Sequence, residues 1–478
     1  MKDLVKFIVI VLIGLIMSLL PAPEGLTHEG WVFFSLFVSV FIALILEPFP
    51  AAYIVISGVV LACILKIGPS LNSDGSITSA KALAWGLSGF SNTTVWLIFV
   101  AFMFALGYEK TGLGKRIALM LVYRMGKSTL GLGYAIAMSD LILAPFMPSN
   151  TARSGGTIFP IVKSIPVLYG SSPEREPRKI GSYITWVALA ATCVTSSMFY
   201  TGLATNVLAK SLLEDIEITA PSWGQWFLCF LPVGIILLLL VPLITYFVYP
   251  PTLKDSKDIP VWAGNELKEM GRISRNEIIM TMLGCLALFL WIFGNYFEIN
   301  ATVAALVVLC LMVFLKVISW EDILTNKAAW NVFLWFGAIV TLAGGLNNVG
   351  FLDWLANRIT SGISSYSPSV IVLFLLISFY FIHYLFASST AHATALLTIF
   401  LVAGRKIQGI DFTLLTYLLL YSLGLMGILT PYATGPSPIW YGSGYIPSKT
   451  FWLLGALFGI FFIAVLILVG VPWIKLWI

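Results

Sequence analysis

Long apolar stretches alternate with short polar ones along the whole chain. A helix needs about 20 mostly apolar residues to cross a bilayer. Such stretches run over roughly 4–20, 31–47, 51–66, 92–109, 181–209, 225–249, 277–295, 300–317, 329–346, 412–430 and 450–474, and they predict eleven spans. Two further apolar segments, 128–165 and 367–403, are broken near the middle by small polar residues. Pro148-Ser149-Asn150-Thr151 interrupts the first and Ser388-Ser389-Thr390 the second, so each predicts a helical hairpin with an irregular tip. Two of the spans carry interruptions of their own, Thr201-Gly202-Leu203-Ala204-Thr205-Asn206 and the run from Thr430 to Pro438. Pro431, Pro436 and Pro438 lack the backbone N–H that a helix interior uses.

Charge gives these elements a direction. Cytoplasmic loops are enriched in Lys and Arg. Lys110, Lys115, Arg116, Arg124 and Lys127 precede the first hairpin, and Lys163, Arg175, Arg178 and Lys179 follow its core. Lys254, Lys257, Lys268, Arg272 and Arg275 fill 250–276, so these loops hold 14 of the 27 basic residues. Basic loops on both sides of 128–165 make it re-entrant, entering from the cytoplasm and returning. Backbone of that kind survives at membrane depth only where protein buries it or it lines a wet cavity. The count places the N-terminus in the cytoplasm and the C-terminus outside, in a multi-pass protein of the cell membrane. Arg405-Lys406 then falls outside, against the charge rule.

Composition narrows the class. The 478 residues are 59% hydrophobic and 10% charged, against about 25% charged in soluble domains. An all-α polytopic membrane protein fits; an ordinary soluble enzyme, a disordered chain and an outer-membrane barrel of alternating strands do not. The net charge of +5 is spread over several loops and is no nucleic-acid footprint. The five cysteines all sit in apolar stretches without metal spacing. The three histidines, His28, His383 and His392, do not make up a zinc set. Neither a metal nor a cofactor is expected. An intramembrane enzyme would need a nucleophile–base pair or a metal dyad, and no such arrangement is visible.

The chain also repeats itself. Val95-Trp96-Leu97-Ile98-Phe99 reads like Val332-Phe333-Leu334-Trp335-Phe336, and Gly107 and Gly112 match Gly344 and Gly350. Ser149-Asn150-Thr151-Ala152-Arg153 matches Ser388-Ser389-Thr390-Ala391-His392, and Gly202 to Asn206 align with Ala433 to Ser437. Five crossings separate the copies, so the repeat is inverted. Inverted repeats with interrupted helices in matching positions are the mark of a secondary transporter with its site at the midplane. The predicted organisation is scaffold helices over 1–91, a first repeat over 92–249 (hairpin 128–165, broken helix 181–209), a cytoplasmic linker over 250–276, connecting scaffold helices over 277–328, and a second repeat over 329–478 (hairpin 367–403, broken helix 412–440).

Unwound helix ends present free backbone groups, and half-helix N-termini suit carboxylates. Hydroxyls and amides at Ser149, Asn150, Thr151, Ser388, Ser389 and Thr390 can hydrogen-bond an anion without permanent charge. Two such tips suit a substrate with two carboxylates. Arg153 and His392 follow the tips at repeat-related positions. A charge at mid-membrane costs about 2.5–3.5 kcal/mol on insertion scales, so each asks for a partner or a role. Asp140 is a structural partner within reach of Arg153, and a pair that only holds the hairpin together remains an alternative.

These residues resemble the divalent anion/sodium symporter family, the INDY-like transporters of di- and tricarboxylates, over nearly the whole chain. The stretch from Pro148 to Thr157 is similar to the branch holding citrate/succinate and tartrate/succinate antiporters and plastid 2-oxoglutarate/malate translocators. The resemblance implies an elevator-type transporter working as a homodimer. It implies a substrate site from Ser149, Asn150, Thr151, Gly202, Ser388, Ser389, Thr390, Ala433, Thr434 and Gly435. Ser389 and Ser437 stand where the symporters carry Asn, and Arg153 and His392 where they carry small residues. The expected function is therefore exchange of C4–C5 dicarboxylates such as succinate, malate and 2-oxoglutarate, or citrate, without sodium, with Arg153 and His392 in place of bound cations. A sodium-coupled symporter is the alternative.

Overall fold

The computed structural model describes residues 2–46, 48–70, 76–294, 296–363 and 366–477. Met1 and Ile478, the outer ends of the expected first and last segments, lie outside the described residues. Those described form helices and connecting turns without a strand; one isolated bridge pairs Ser128 with Asp255. Six helices are long and apolar enough to cross a membrane by length and composition: Thr93–Thr111, Trp223–Val248, Arg275–Phe293, Lys327–Asn348, Pro368–Leu385 and Ser448–Trp477. Six shorter apolar helices accompany them, Val5–Leu19, His28–Leu44, Ala51–Leu65, Thr129–Leu143, Ala301–Phe314 and Phe412–Ile428.

Local chemistry explains where several begin. Ser222, Ser274 and Ser319 each accept from the backbone N–H three residues on, where Gln225, Glu277 and Asp322 reach back to the capping residue. That reciprocal pair satisfies two of the N–H groups a helix start leaves open. Ser128, Thr78 and Asn300 cap three more starts with a side-chain oxygen alone.

The chain divides into two compact units, each drawn from three stretches. One comprises 1–99, 207–220 and 327–419. At its heart Lys327–Asn348 packs against Ala51–Leu65. Gly89 meets Gly337 backbone to backbone, at a spacing that leaves no room for a Cβ. Thr341 Oγ1 accepts from the Gly89 N–H at 3.1 Å. This unit holds the hairpin Pro368–Ile382 and Ser389–Arg405.

The other unit comprises 100–206, 221–326 and 420–478. Its centre is Gly181–Met198, all 18 residues of which are buried. A helix buried on every face must be surrounded by protein, and Trp223–Val248 and Thr129–Leu143 pack on it. Trp226 Nε1 donates to Ser197 O at 2.8 Å and Ser182 Oγ to Tyr445 O at 2.7 Å, binding its polar groups to neighbours. The outward face is apolar, as lipid requires: Phe247, Phe314 and Leu468 are among its exposed residues.

Candidate functional site

Three interruptions meet in the second unit. The first hairpin rises as Thr129–Leu143, turns through 144–150, and returns as a π-helical segment Thr151–Ile158 followed by Phe159–Val167. Gly181–Met198 ends at an extended Phe199, passes a short turn at Tyr200–Gly202, and resumes as Ala204–Glu214. Phe412–Leu425 gives way to Met426–Ile428 and a run of turns before Ser437–Gly442.

Hydrogen bonds tie these breaks together. Asn150 Nδ2 donates to Thr434 Oγ1 at 2.9 Å, joining the hairpin tip to the second broken helix. A Cβ on Gly435 would collide with Thr151 Oγ1, so glycine there lets the tip close in. Trp440 Nε1 donates to Ser154 Oγ at 2.9 Å. On the other side, Thr201 Oγ1 donates to Pro145 O at 2.7 Å and accepts from Trp223 Nε1 at 3.1 Å. Asn206 Nδ2 reaches Ser196 O and Phe199 O across the first break, while its Oδ1 is buried without a partner. Ser149 Oγ accepts from the Ala152 N–H at 3.2 Å.

Arg153 lies at the centre of this arrangement and is fully buried. Its Nε donates to Asp140 Oδ1 at 2.9 Å. One terminal nitrogen donates to Met147 O at 2.6 Å and to Gly202 O at 2.8 Å. The other reaches Thr195 Oγ1 at 3.3 Å and Ser196 Oγ at 3.2 Å. Thr192 and Thr195 in turn hydroxyl-bond the Asp140 carboxylate. The pairing of Asp140 and Arg153 that the sequence left open is thus formed. A buried pair is tolerable only with its remaining donors and acceptors met, and here five oxygens meet the guanidinium. Of the expected residues, Ser149, Asn150, Thr151, Arg153, Gly202, Ala433, Thr434 and Gly435 fall in this unit.

Ser388, Ser389, Thr390 and His392 fall in the other unit. Ser388 caps Ser389–Arg405, accepting from the Ala391 N–H at 3.5 Å, and Ser389 is buried. His392 is fully buried with neither ring nitrogen hydrogen-bonded. Its ring centroid lies 4.4 Å from Phe379, 4.9 Å from Phe386 and 5.1 Å from His383.

The sequence reading missed Thr192, Thr195 and Ser196. They recur at helical spacing of three and four on one face of an apolar stretch, a signal that could have marked them as partners for Asp140 and Arg153. It also missed Trp440, and Met147, which acts only through its carbonyl.

Similarity to known proteins agrees with this architecture. The family described as "Sodium:sulfate symporter transmembrane region" matches residues 1–478. The L-tartrate/succinate antiporter of Escherichia coli strain K12 is 46% identical over 466 residues, spanning 96% of each chain. The citrate/succinate antiporter of the same strain is 46% identical over 468 residues, 97% of this chain and 96% of that one. In fold, the Alcanivorax borkumensis YdaH transporter superposes at a TM-score of 0.61 with 15% identity, over 94% of this chain and 99% of its own. Neisseria gonorrhoeae MtrF does so at 0.59 with 11% identity, over 99% and 97%. The chain is a multi-pass helical membrane protein, and it belongs to the sodium:sulfate symporter family.

Proposed function

We propose that the protein exchanges dicarboxylates across the membrane without needing sodium. The observation that carries this reading is the coordination of Arg153. One carboxylate, two carbonyls and two hydroxyls converge on its guanidinium. This is an oxygen set of the kind that holds a monovalent cation, and an arginine, charged at every physiological pH, fills it. A cation attached to the chain cannot travel with a substrate. Two relatives 46% identical over almost their whole length are named as antiporters of tartrate, citrate and succinate. C4–C5 dicarboxylates such as succinate, malate and 2-oxoglutarate, together with citrate, are the proposed substrates.

Ser149, Asn150, Thr151, Gly202, Ala433, Thr434 and Gly435 line the carboxylate site in this proposal; Ser388, Ser389 and Thr390 do so on their own unit. Asp140 neutralises Arg153 in the pair. The charge that compensates a bound carboxylate is therefore assigned to His392. The carrier works as a homodimer by an elevator motion, on the strength of the family resemblance. A probe at Thr157 whose depth in the bilayer changes on adding succinate would support the motion; a fixed depth would count against it.

The deciding experiment is counterflow in proteoliposomes. Vesicles preloaded with succinate should take up labelled succinate equally well in sodium and potassium. Concentrative uptake into vesicles free of internal dicarboxylate, driven by a sodium gradient, would instead establish a sodium-coupled symporter, the coupling that the family's description carries.

A further inference from the structure

The chain that follows Trp223–Val248 is tied down at several points. Thr252 N donates to Arg178 O at 3.0 Å and Leu253 N to Lys179 O at 2.9 Å. Thr129 N donates to Lys254 O at 3.0 Å, and its hydroxyl to Leu253 O at 2.6 Å. Ser256 bonds back to Lys127 O through its N–H and to Gly126 O through its hydroxyl. The segment 250–256 is therefore held on both sides by backbone, and its side chains have fixed starting points.

Two of those side chains lie on aromatic rings of the helix end. Lys254 Nζ sits 4.0 Å above Tyr246, and the Arg178 guanidinium 4.7 Å above Tyr249. Arg178 also donates to Pro250 O at 3.1 Å, which uses one of its five N–H groups. The neighbouring charges are occupied: Lys179 pairs with Glu176 and Lys257 with Asp255, while Glu174 accepts from Ser172. Among the described residues neither Arg178 nor Lys254 is in an ion pair. Both are exposed, as are Phe247 and Val248 between the two tyrosines, at 72% and 45%. Apolar side chains turned outward at a helix end face acyl chains, and Tyr belongs at the headgroup level.

We propose that Arg178 and Lys254 form a binding site for the phosphodiester headgroup of an anionic phospholipid. Each tyrosine ring holds one side of its cation, and both side chains stay exposed. Phe247 and Val248 contact the acyl chains of the same lipid. The backbone bond from Thr252 to Arg178 sets Arg178 beside the chain two residues from Lys254, and an arginine and a lysine so placed suit one phosphate, the first as a fork and the second as a point charge. Basic residues at this depth attract acidic lipid by about 1 kcal/mol each, which corresponds to about five-fold in half-saturating lipid.

The test uses the whole protein in a neutral detergent, independent of transport. Dioleoyl phosphatidylglycerol or phosphatidylcholine is titrated in, with thermal unfolding and native mass spectrometry as readouts. Phosphatidylglycerol should raise the melting temperature and remain bound; phosphatidylcholine should do neither. Lys254→Gln removes one exposed charge and should raise the half-saturating phosphatidylglycerol about five-fold. Arg178→Gln with Lys254→Gln should abolish the response, whereas Arg178→Lys with Lys254→Arg should keep most of it. Lys449→Gln controls for lost charge elsewhere and should change nothing. An unchanged phosphatidylglycerol response in Lys254→Gln would overturn the site. So would millimolar inorganic phosphate giving the same stabilisation as the lipid, since the cations would then be reading a free anion.

Discussion

Arg153 and His392 occupy matching positions in the two hairpins, two residues beyond the same small polar break, yet their surroundings are opposite. Arg153 is enclosed by oxygen: a carboxylate, two carbonyls and two hydroxyls. His392 is enclosed by rings, and neither of its nitrogens has a partner. Matching breaks in sequence do not impose matching side-chain surroundings. The first tip is a locked joint between a hairpin and a broken helix. The second is a capped helix start with a base stored in an apolar box.

The largest expected effect comes from breaking the lock. Asp140→Ala leaves a guanidinium buried without its carboxylate, which costs about 3–5 kcal/mol. The variant should lose most of its folded yield, measured by size-exclusion of the solubilised protein. Adding Arg153→Met should restore much of that yield, because an apolar pair of similar volume often substitutes for a buried ion pair. Full yield from Asp140→Ala alone would erase the contrast between the tips.

Next comes Asn150→Ala, which removes the bond to Thr434 and leaves that hydroxyl unpartnered. A lost hydrogen bond of this kind costs about 1–3 kcal/mol, so counterflow of succinate should fall roughly ten-fold or more while the protein remains folded. Unaltered kinetics would take Asn150 out of the site.

His392→Phe fits a box already built from rings and should change stability by less than about 1.5 kcal/mol. If His392 compensates the charge of a bound carboxylate, the folded variant should exchange several-fold more slowly, read as the initial rate of counterflow. Equal rates would leave His392 a packing residue and sharpen the contrast between the two tips.

The smallest effect lies in the partly exposed pair of Lys110 and Asp322. Lys110 donates to Asp322 at 2.6 Å, and this bond, with those from Ser319, holds the carboxyl at about 2. A depressed carboxyl contributes stability above its ordinary value near 4 and loses it as pH falls toward 2. The pair is partly exposed and worth at most about 1 kcal/mol. The melting temperature of Asp322→Asn should lie slightly below the parent's at neutral pH and meet it near pH 2. A gap that persists there would have another cause.

Much of this was legible in sequence because breaks in apolar segments are conspicuous. Ser149-Asn150-Thr151, Thr201 to Asn206 and Thr430 to Pro438 all fall where the helices stop. Asp140 could be named as a partner for Arg153 because acids are scarce in apolar stretches. The rest of the lock was hidden for definite reasons. Met147 and Gly202 contribute carbonyls, which every residue has and no side chain advertises. Thr192, Thr195 and Ser196 look like ordinary helix residues until their helix proves to be buried all round. Nothing in the residues around 392 showed that Phe379, on the opposite arm, would lie against the histidine.

The π-helical return of the first hairpin has a consequence for how its length can vary. Phe159 N bonds five residues back, to Ser154 O, so Thr151–Ile158 carries more residues per turn than an α-helix. Such segments recur at functional sites. Deleting one residue between Ser154 and Ile158 would let the arm relax into an α-helix. Everything on one side of the cut would then rotate by about 100° relative to the other. Either Arg153 would swing away from Asp140, or Pro160 and the arm beyond it would turn out of their packing. The number of residues between the tip and Pro160 is therefore a fixed integer, and the hairpin can accept substitutions there far more readily than insertions or deletions.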